Sequence, residues 1–525
     1  MQGPTEGNPL YLKGDFADKM GQRLKRAFMV TRITKPPLAR QTTLQITARE
    51  VPVSTPFAPR ASSRAKRPVT QRMSTVDTAW LRMDGASNLM MIVGVWIIQP
   101  GVTYEAVAQR IQERFLQYPR FGQRAQQDAT GAHWVTDPDF KIERHVVRET
   151  LPSHLPGQAQ QALQQRLGEL AMQPLDMNHP LWQFGLVEHY EGGSALLARI
   201  HHCIADGLAL IAVTQSMVDG GTEPPQTPLK APTQDGLDGL EDWVVDHLLK
   251  PATHLTVNAL QNGLAGPVDL AKMAYQALRD SAALALMPDD SPTRLKGTPG
   301  LAKRVAWCEP LPLDEVRAVG KALNCSINDV LLSCVAGAIG GYLKSLGDDV
   351  TDKEIRAMVP VNLRPMEEAY KLGNKFGLAP VVLPIGLDNP IERIYEVRRR
   401  MTALKGSLQP LLAFGLLAVA GLLTKSAQDA LLNLFSRKTT AVMTNVPGPR
   451  NKLKFCGATL EQSLFWVPQS GSVGLGVSIL SYGGSVQFGV ISDSELCPEP
   501  QRIIDQFEPE FAKLTLLTLM LPWGE

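Results

Sequence analysis

The sequence predicts an α/β protein made of two lobes, and three observations carry that prediction. Strand-like and helix-like patterns alternate over residues 73–218; a Pro- and Gly-rich stretch, "DGGTEPPQTPLKAPTQDG" at 219–236, interrupts them; and a second alternating region runs from about residue 295 to the end at residue 525. A chain of that length exceeds one ordinary domain, so two cores are expected.

Residues 1–72 are rich in Pro, Ser and Thr, show little apolar periodicity after residue 30, and read as a disordered basic extension. Met73, at the head of "MSTVDTAW", opens the first globular-looking segment and is a candidate start of translation. The run "LMMIVGVWII" (89–98), ended by "QPG", is a buried strand, and "YEAVAQRIQERFLQY" (104–118) spaces its apolar residues as a helix does. A second strand is expected over "ALLARIHHCI" (195–204). Residues 73–218 form the first lobe, and 219–294 are a linker followed by a helical connection. The second lobe, 295–525, should hold helices at 313–323 and 327–346, a strand at 379–386, a hairpin over 473–492 turning at Gly483-Gly484, and a closing helix near 502–518. The apolar stretch "PLLAFGLLAVAGLL" (410–423) is shorter than the roughly 20 residues that cross a bilayer. A buried helix and a helix lying in a lipid surface both fit it.

A mean hydropathy of −0.07 argues against a polytopic membrane protein. The net charge of +2 hides an asymmetry: residues 1–72 carry fourteen basic against four acidic residues, leaving the remainder net acidic. That body offers no electrostatic reason to bind nucleic acid. Six scattered cysteines without a CxxC pair point to reduced, buried thiols in a cytosolic protein rather than to disulfides or zinc. No secretory signal is recognised, so a cytoplasmic location is expected. Neither a Walker-type loop, a dinucleotide fingerprint nor a G-x-S-x-G elbow occurs in a suitable context.

The chemistry concentrates in "HHCIADG", residues 201–207. Acyl transfer to a hydroxyl needs a base for the hydroxyl proton, and an imidazole suits that task. A nearby carboxylate can hold the loop, and a glycine beside it allows a tight turn and leaves room for substrate. Adjacent strand residues point to opposite faces, so one histidine can face a cavity while the other supports it. The same geometry disfavours joint metal ligation, and no metal site is expected. A purely structural histidine pair remains an alternative.

These residues match the HHxxxDG signature of the acyl-CoA-dependent acyltransferase superfamily. Within it the chain resembles the bacterial wax ester synthase/diacylglycerol acyltransferases through "PLDMNHPLWQ" (174–183), "NDVLLSCVAGAIGGYL" (328–343), "MVPVNLRP" (358–365), "GNKFG" (373–377) and "TNVPGPR" (444–450), in the family's order over residues 74–520. The resemblance implies two chloramphenicol acetyltransferase-like lobes, each a mixed sheet covered by helices, with an active-site tunnel between them. It implies His202 as general base, Asp206 as a structural partner salt-bridged to an arginine the sequence does not identify, His201 as a support, and Gly207 as part of the motif. Asn328 would orient His202 or donate to the oxyanion, although Ser326-x-x-Asp329 also reads as a helix cap. Pro180, Leu181 and Trp182 would shape an acceptor channel or pack the core. Two departures bear on substrate preference: "LMMIVG" (89–94) replaces a Pro-Met-His-Val-Gly stretch, and Gln183 follows the PLW triplet where glutamate is common.

The implied reaction moves a long-chain acyl group from acyl-CoA, a substrate, to a fatty alcohol or diacylglycerol, without a cofactor. The implied partners are therefore acyl-CoA and a lipid alcohol, with peripheral attachment to a membrane or lipid-droplet surface. Two rivals stay open: a superfamily member acting on a polyketide or carrier-bound acceptor, and an inactive scaffold that binds lipid surfaces through 410–434.

Overall fold

A computed structural model of the chain describes residues 70–223 and 287–520, apart from 129–130, 153–154, 366–367, 369–370 and 406. Expectations for residues 1–69 and 224–286, most of the extension and of the helical connection, lie outside the described residues.

The first half runs β1 (Thr70–Arg72), α1 (Thr75–Arg82), β2 (Met91–Gln99), α2 (Tyr104–Glu113), β3 (Gln123–Asp128), β4 (Gly131–Thr136), α3 (Ile142–His145), β5 (Val146–Arg148), α4 (Ala159–Ala171), β6 (Trp182–Tyr190), β7 (Gly193–His201) and α5 (Gly207–Met217). The second half runs β8 (Lys303–Trp307), β9 (Leu311–Pro312), α6 (Leu313–Ala322), α7 (Ile327–Ser345), β10 (Ile355–Asn362), β11 (Phe376–Leu383), α8 (Pro390–Lys405), α9 (Gln409–Ala420), α10 (Lys425–Ser436), β12 (Ala441–Pro447), β13 (Lys454–Phe455), β14 (Ala458–Trp466), β15 (Leu475–Tyr482), β16 (Ser485–Asp493) and α11 (Gln501–Met520).

Two large mixed sheets result. One is ordered β13-β14-β2-β7-β6-β5, and the other β11-β10-β12-β15-β16-β8 with β9 beside β16. β2 sits between β14 and β7 and is covered on both faces, which is why its sequence is apolar nearly throughout. β13 and β14 come from the second half of the chain yet complete the first sheet, so chain order alone does not assign residues 454–466 to a lobe. Below that sheet, Leu163 and Leu167 of α4, Val305 and Trp307 of β8, and Trp466 of β14 form a core that joins the two sheets.

Local chemistry explains where elements stop. The helix expected to reach residue 118 ends at Glu113 and gives way to 3-10 turns, and Tyr118 is extended, as the residue before Pro119 is expected to be. The β15–β16 hairpin turns at Gly483 (φ 59°) and Gly484 (φ 78°), the positive values a two-residue hairpin turn requires. α7 begins with a full capping box between Ser326 and Asp329. One correction concerns the extension: its last residues, Thr70–Arg72, are a strand paired with β4. Three polar residues carry no apolar alternation, so only their long-range pairing reveals them. All six cysteines are free. No single helix among the described residues is long and apolar enough to cross a membrane.

Candidate active site

His202 lies one residue beyond β7, where its backbone N–H donates to the Met90 carbonyl (2.7 Å). Leu196, Ala198 and Ile200 share one face of β7 by strand alternation, and His202 continues that face. The imidazole is buried, stacked on Trp80 of α1 (centroids 4.2 Å apart, planes 16°) and tilted against Phe376 of β11 (5.5 Å).

Its tautomer follows from its neighbours. Nδ1 is 3.0 Å from Oδ1 of Asn374. The Asn374 amide spends both of its hydrogens elsewhere, on Asp77 Oδ1 (2.8 Å) and on the His202 carbonyl (2.7 Å). Oδ1 is therefore left facing the ring and can only accept, so Nδ1 carries the proton and Nε2 keeps its lone pair. The ring also hydrogen-bonds the backbone of its own residue, which favours its protonated form. Burial drives the His202 pKa down to about 4, with neighbouring His201 acting in the same sense. The ring is therefore neutral at physiological pH.

His201 points the other way. The Cys203 N–H donates to its Nδ1 (3.1 Å) and its Nε2 faces Asp84 Oδ1 (3.3 Å), so the ring is fully engaged as a support.

Asp206 has four tasks for one carboxylate and its residue. As N-cap of α5, its Oδ1 accepts from the Ala209 N–H (3.0 Å). Oδ2 accepts from the Lys375 N–H (3.0 Å) and meets Arg364 Nη2 (3.2 Å). Its own N–H donates to the Gly373 carbonyl (3.4 Å), beside a short parallel bridge between Ala205 and Gly373. Arg364, from the segment after β10, is the arginine the sequence left unidentified, and it also donates to the carbonyls of Lys371 and Gly373. Thus the loop carrying His202 is fastened to Arg364, Gly373 and Lys375. Gly207 begins α5, and a Cβ there would meet no atom within 4 Å. Its φ is not positive, so turn geometry does not require glycine there.

An apolar cavity of about 120 Å³ lies against this turn, between β2, β7 and β14 on one side and α5 with Pro449 and Leu480 on the other. Ile200 and Gly207, which flank the histidine turn, both line it.

One expectation is corrected, and for the triplet at 180–182 the structure favours one of two alternatives. Asn328 is exposed at the start of α7, where it accepts from Asn445 Nδ2 (3.0 Å); Asn374 orients His202 instead. Leu181 and Trp182 are fully buried core residues, and neither they nor Pro180 line the cavity. Trp182 spends its indole N–H on the Phe121 carbonyl (2.8 Å), and the Leu181 carbonyl accepts from the His201 N–H (2.9 Å). The triplet therefore holds the histidine strand from behind. Gln183 is likewise a packing residue, accepting from the buried Arg199.

The residues missed were Asp77, Trp80, Arg364, Asn374 and Phe376. All stand in segments that the sequence does flag, "STVDTAW", "MVPVNLRP" and "GNKFG", but nothing local shows that these meet at His202.

Comparison with known proteins gives a consistent answer. A family model described as the wax ester synthase/diacylglycerol acyltransferase catalytic domain matches residues 73–331, and the C-terminal domain model of the same family matches 372–515. A probable diacylglycerol O-acyltransferase of Mycobacterium tuberculosis, tgs1, is 28% identical over 462 residues, spanning 85% of this chain and 96% of its own. Another from that organism, tgs2, is 28% identical over 398 residues, spanning 73% and 83%. The solved wax ester synthase/diacylglycerol acyltransferase of Marinobacter aquaeolei VT8 superposes with a TM-score of 0.60 at 20% identity, covering 86% of this chain and all of that one. A trichothecene 15-O-acetyltransferase of Fusarium sporotrichioides shares the fold at a TM-score of 0.55 and 12% identity, covering 87% and 97%.

Proposed function

The chain belongs to the wax ester synthase/diacylglycerol acyltransferase family and is an acyl-CoA-dependent O-acyltransferase, and from that premise we propose that His202 is its general base. The family's substrates are acyl-CoA and an acceptor lipid, so the products are a wax ester or triacylglycerol and free CoA. The observation that carries the residue assignment is an imidazole whose Nδ1 faces the Asn374 oxygen and whose turn is flanked by Ile200 and Gly207, both of which line an apolar cavity.

In the proposed reaction the acceptor hydroxyl donates to Nε2. As its oxygen attacks the thioester carbonyl carbon, the proton passes to Nε2, giving an imidazolium and a tetrahedral oxyanion. Collapse of that intermediate re-forms the carbonyl and breaks the C–S bond, and the departing CoA sulfur takes the proton from Nε2. Atoms and charges balance with acyl-CoA as substrate and without a cofactor. Asp206 and Arg364 act at a distance by holding the loop. The test is incubation of purified protein with radiolabelled palmitoyl-CoA and either hexadecanol or dioleoylglycerol; formation of labelled neutral lipid supports the proposal, and release of free fatty acid alone contradicts it.

The apolar cavity is read as the berth of a substrate hydrocarbon chain. Ala198 lines it, so Ala198→Leu is expected to lower kcat/KM for C16 substrates about tenfold while sparing short chains, the scale on which added methylenes discriminate. Equal losses for C4 and C16 acyl-CoA would contradict this reading.

Attachment to a lipid surface, at the cytoplasmic face of a membrane or on a lipid inclusion, completes the proposal. Val419, Leu422 and Leu434, on or beside α9 and α10, are each about half exposed, while the neighbouring Lys425 and Arg437 are paired with Asp429 and Asp289. Half-exposed apolar side chains on two successive helices suit a lipid interface. Replacing the three apolar residues by Glu should cut flotation with phosphatidylglycerol vesicles about tenfold or more and leave turnover of soluble short-chain substrates intact; undiminished flotation would rule this face out.

A further inference from the structure

We infer that Asp77 and Asn374, brought together from opposite ends of the chain, are positioning residues that hold the His202 proton on Nδ1. The inference rests on the assignment of His202 as base and adds the device that keeps its Nε2 available.

An asparagine beside a histidine can present either its oxygen or its NH2 group, and only the first leaves Nε2 free to accept a proton. Here the choice is forced. Flipping the Asn374 amide would turn its oxygen toward Asp77 Oδ1 and the His202 carbonyl, replacing contacts of 2.8 and 2.7 Å between donor and acceptor with contacts between acceptors. It would also point an NH2 group at Nδ1 and draw the ring toward the unproductive tautomer.

Asp77 is placed for this. It lies in the first turn of α1, whose N-cap Ser74 accepts from the Asp77 N–H (3.0 Å). An acid in a first turn is ordinarily explained by the helix dipole and faces solvent. This one is buried, and its Oδ1 takes both the backbone N–H (3.0 Å) and the side-chain N–H of Asn374. The adjoining Gly373 has φ +103°, a value that favours glycine, and lies in contact range of the Asp77 carboxylate. Because Asp77 and Trp80 come from the first half of the chain and Asn374 and Phe376 from the second, the base acquires its working tautomer only when those segments are docked.

The test uses the full-length protein labelled with [15N]histidine, the His202 resonances being identified by their loss in His202→Ala. In the wild type, a protonated Nδ1 and an unprotonated Nε2 are expected. Asn374→Ala should move the ring toward the Nε2-protonated form and lower kcat on the order of 100-fold with little change in KM for acyl-CoA. Asp77→Leu, which takes away the carboxylate that accepts from both Asn374 donors, should shift the same spectrum and lower kcat in the same direction, whereas Asp77→Asn, which still offers Asn374 an oxygen, should stay near wild type. Retention of the wild-type tautomer and kcat in Asn374→Ala would overturn the inference. If that variant does not fold, a folded Asp77→Leu variant that keeps the wild-type tautomer and kcat overturns it equally. Should the wild type form no ester, the assignment of His202 as base fails, while the tautomer spectra still decide whether Asp77 and Asn374 do what is claimed.

Discussion

His202→Ala is expected to lower kcat by about 100- to 10,000-fold, the range over which a general base contributes, while leaving the fold in place. The ring is removed from between Trp80 and Phe376, and Asn374 Oδ1 loses its donor, so some stability is lost as well. A buried acceptor left unpaired costs about 1–3 kcal/mol, which a folded domain of this size can absorb. Circular dichroism and thermal melts establish that the fold survives; turnover within threefold of wild type would show that the proton goes elsewhere.

Asp206→Ala should fail in a different way, through stability first and catalysis second. The variant loses the N-cap of α5 and the acceptor for the Lys375 N–H, and it strands the buried Arg364 guanidinium. Breaking one partner of a buried ion pair costs about 3–5 kcal/mol, so reduced soluble yield and a markedly lower denaturation midpoint are expected. Two companion variants separate the contributions. Asp206→Asn keeps a capping oxygen and should be milder, and adding Arg364→Met to Asp206→Ala should recover part of the loss by removing the stranded charge. If Asp206→Ala were as stable as wild type but inactive, the aspartate would have a direct chemical role that this geometry does not provide.

The contrast between these two residues shows what could be read from the chain alone. His202 and Asp206 declare themselves because they stand four residues apart in a pattern suited to one chemistry, and a strand followed by a helix is evident from periodicity. Asn374 is 172 residues from His202, and Asp77 is 297 from Asn374. Hydrophobic periodicity indicates which face of an element is buried, not which distant segment covers it, so "GNKFG" is visible as a motif without a role. The same limit hides β14, which the sequence reading did not pick out and which pairs with β2 from the other half of the chain. Asn328 misleads for the opposite reason: a polar pair at a helix start serves capping and catalysis equally well on paper, and only coordinates show its side chain paired with Asn445 at the surface. Leu181 and Trp182 are equally ambiguous, since a channel wall and a core are built from the same side chains.

Burial has one consequence beyond geometry. With its folded pKa depressed to about 4, His202 takes up a proton in the unfolded chain before it does so in the native protein. Its contribution to stability is fully present above about pH 6.5, the ordinary imidazole value, and is lost as the pH falls through about 4. Across that window the native base stays neutral and competent.

The pH dependence of kcat/KM for ester formation, measured with wild-type protein between pH 3.5 and 8, therefore tests the central claim most directly. A buried, neutral His202 acting as base predicts an acid limb centred near pH 4, with activity held from there up to neutrality. An acid limb at pH 6.5 or above, in protein shown to remain folded, would mean that the proton acceptor is a solvated group and not this imidazole.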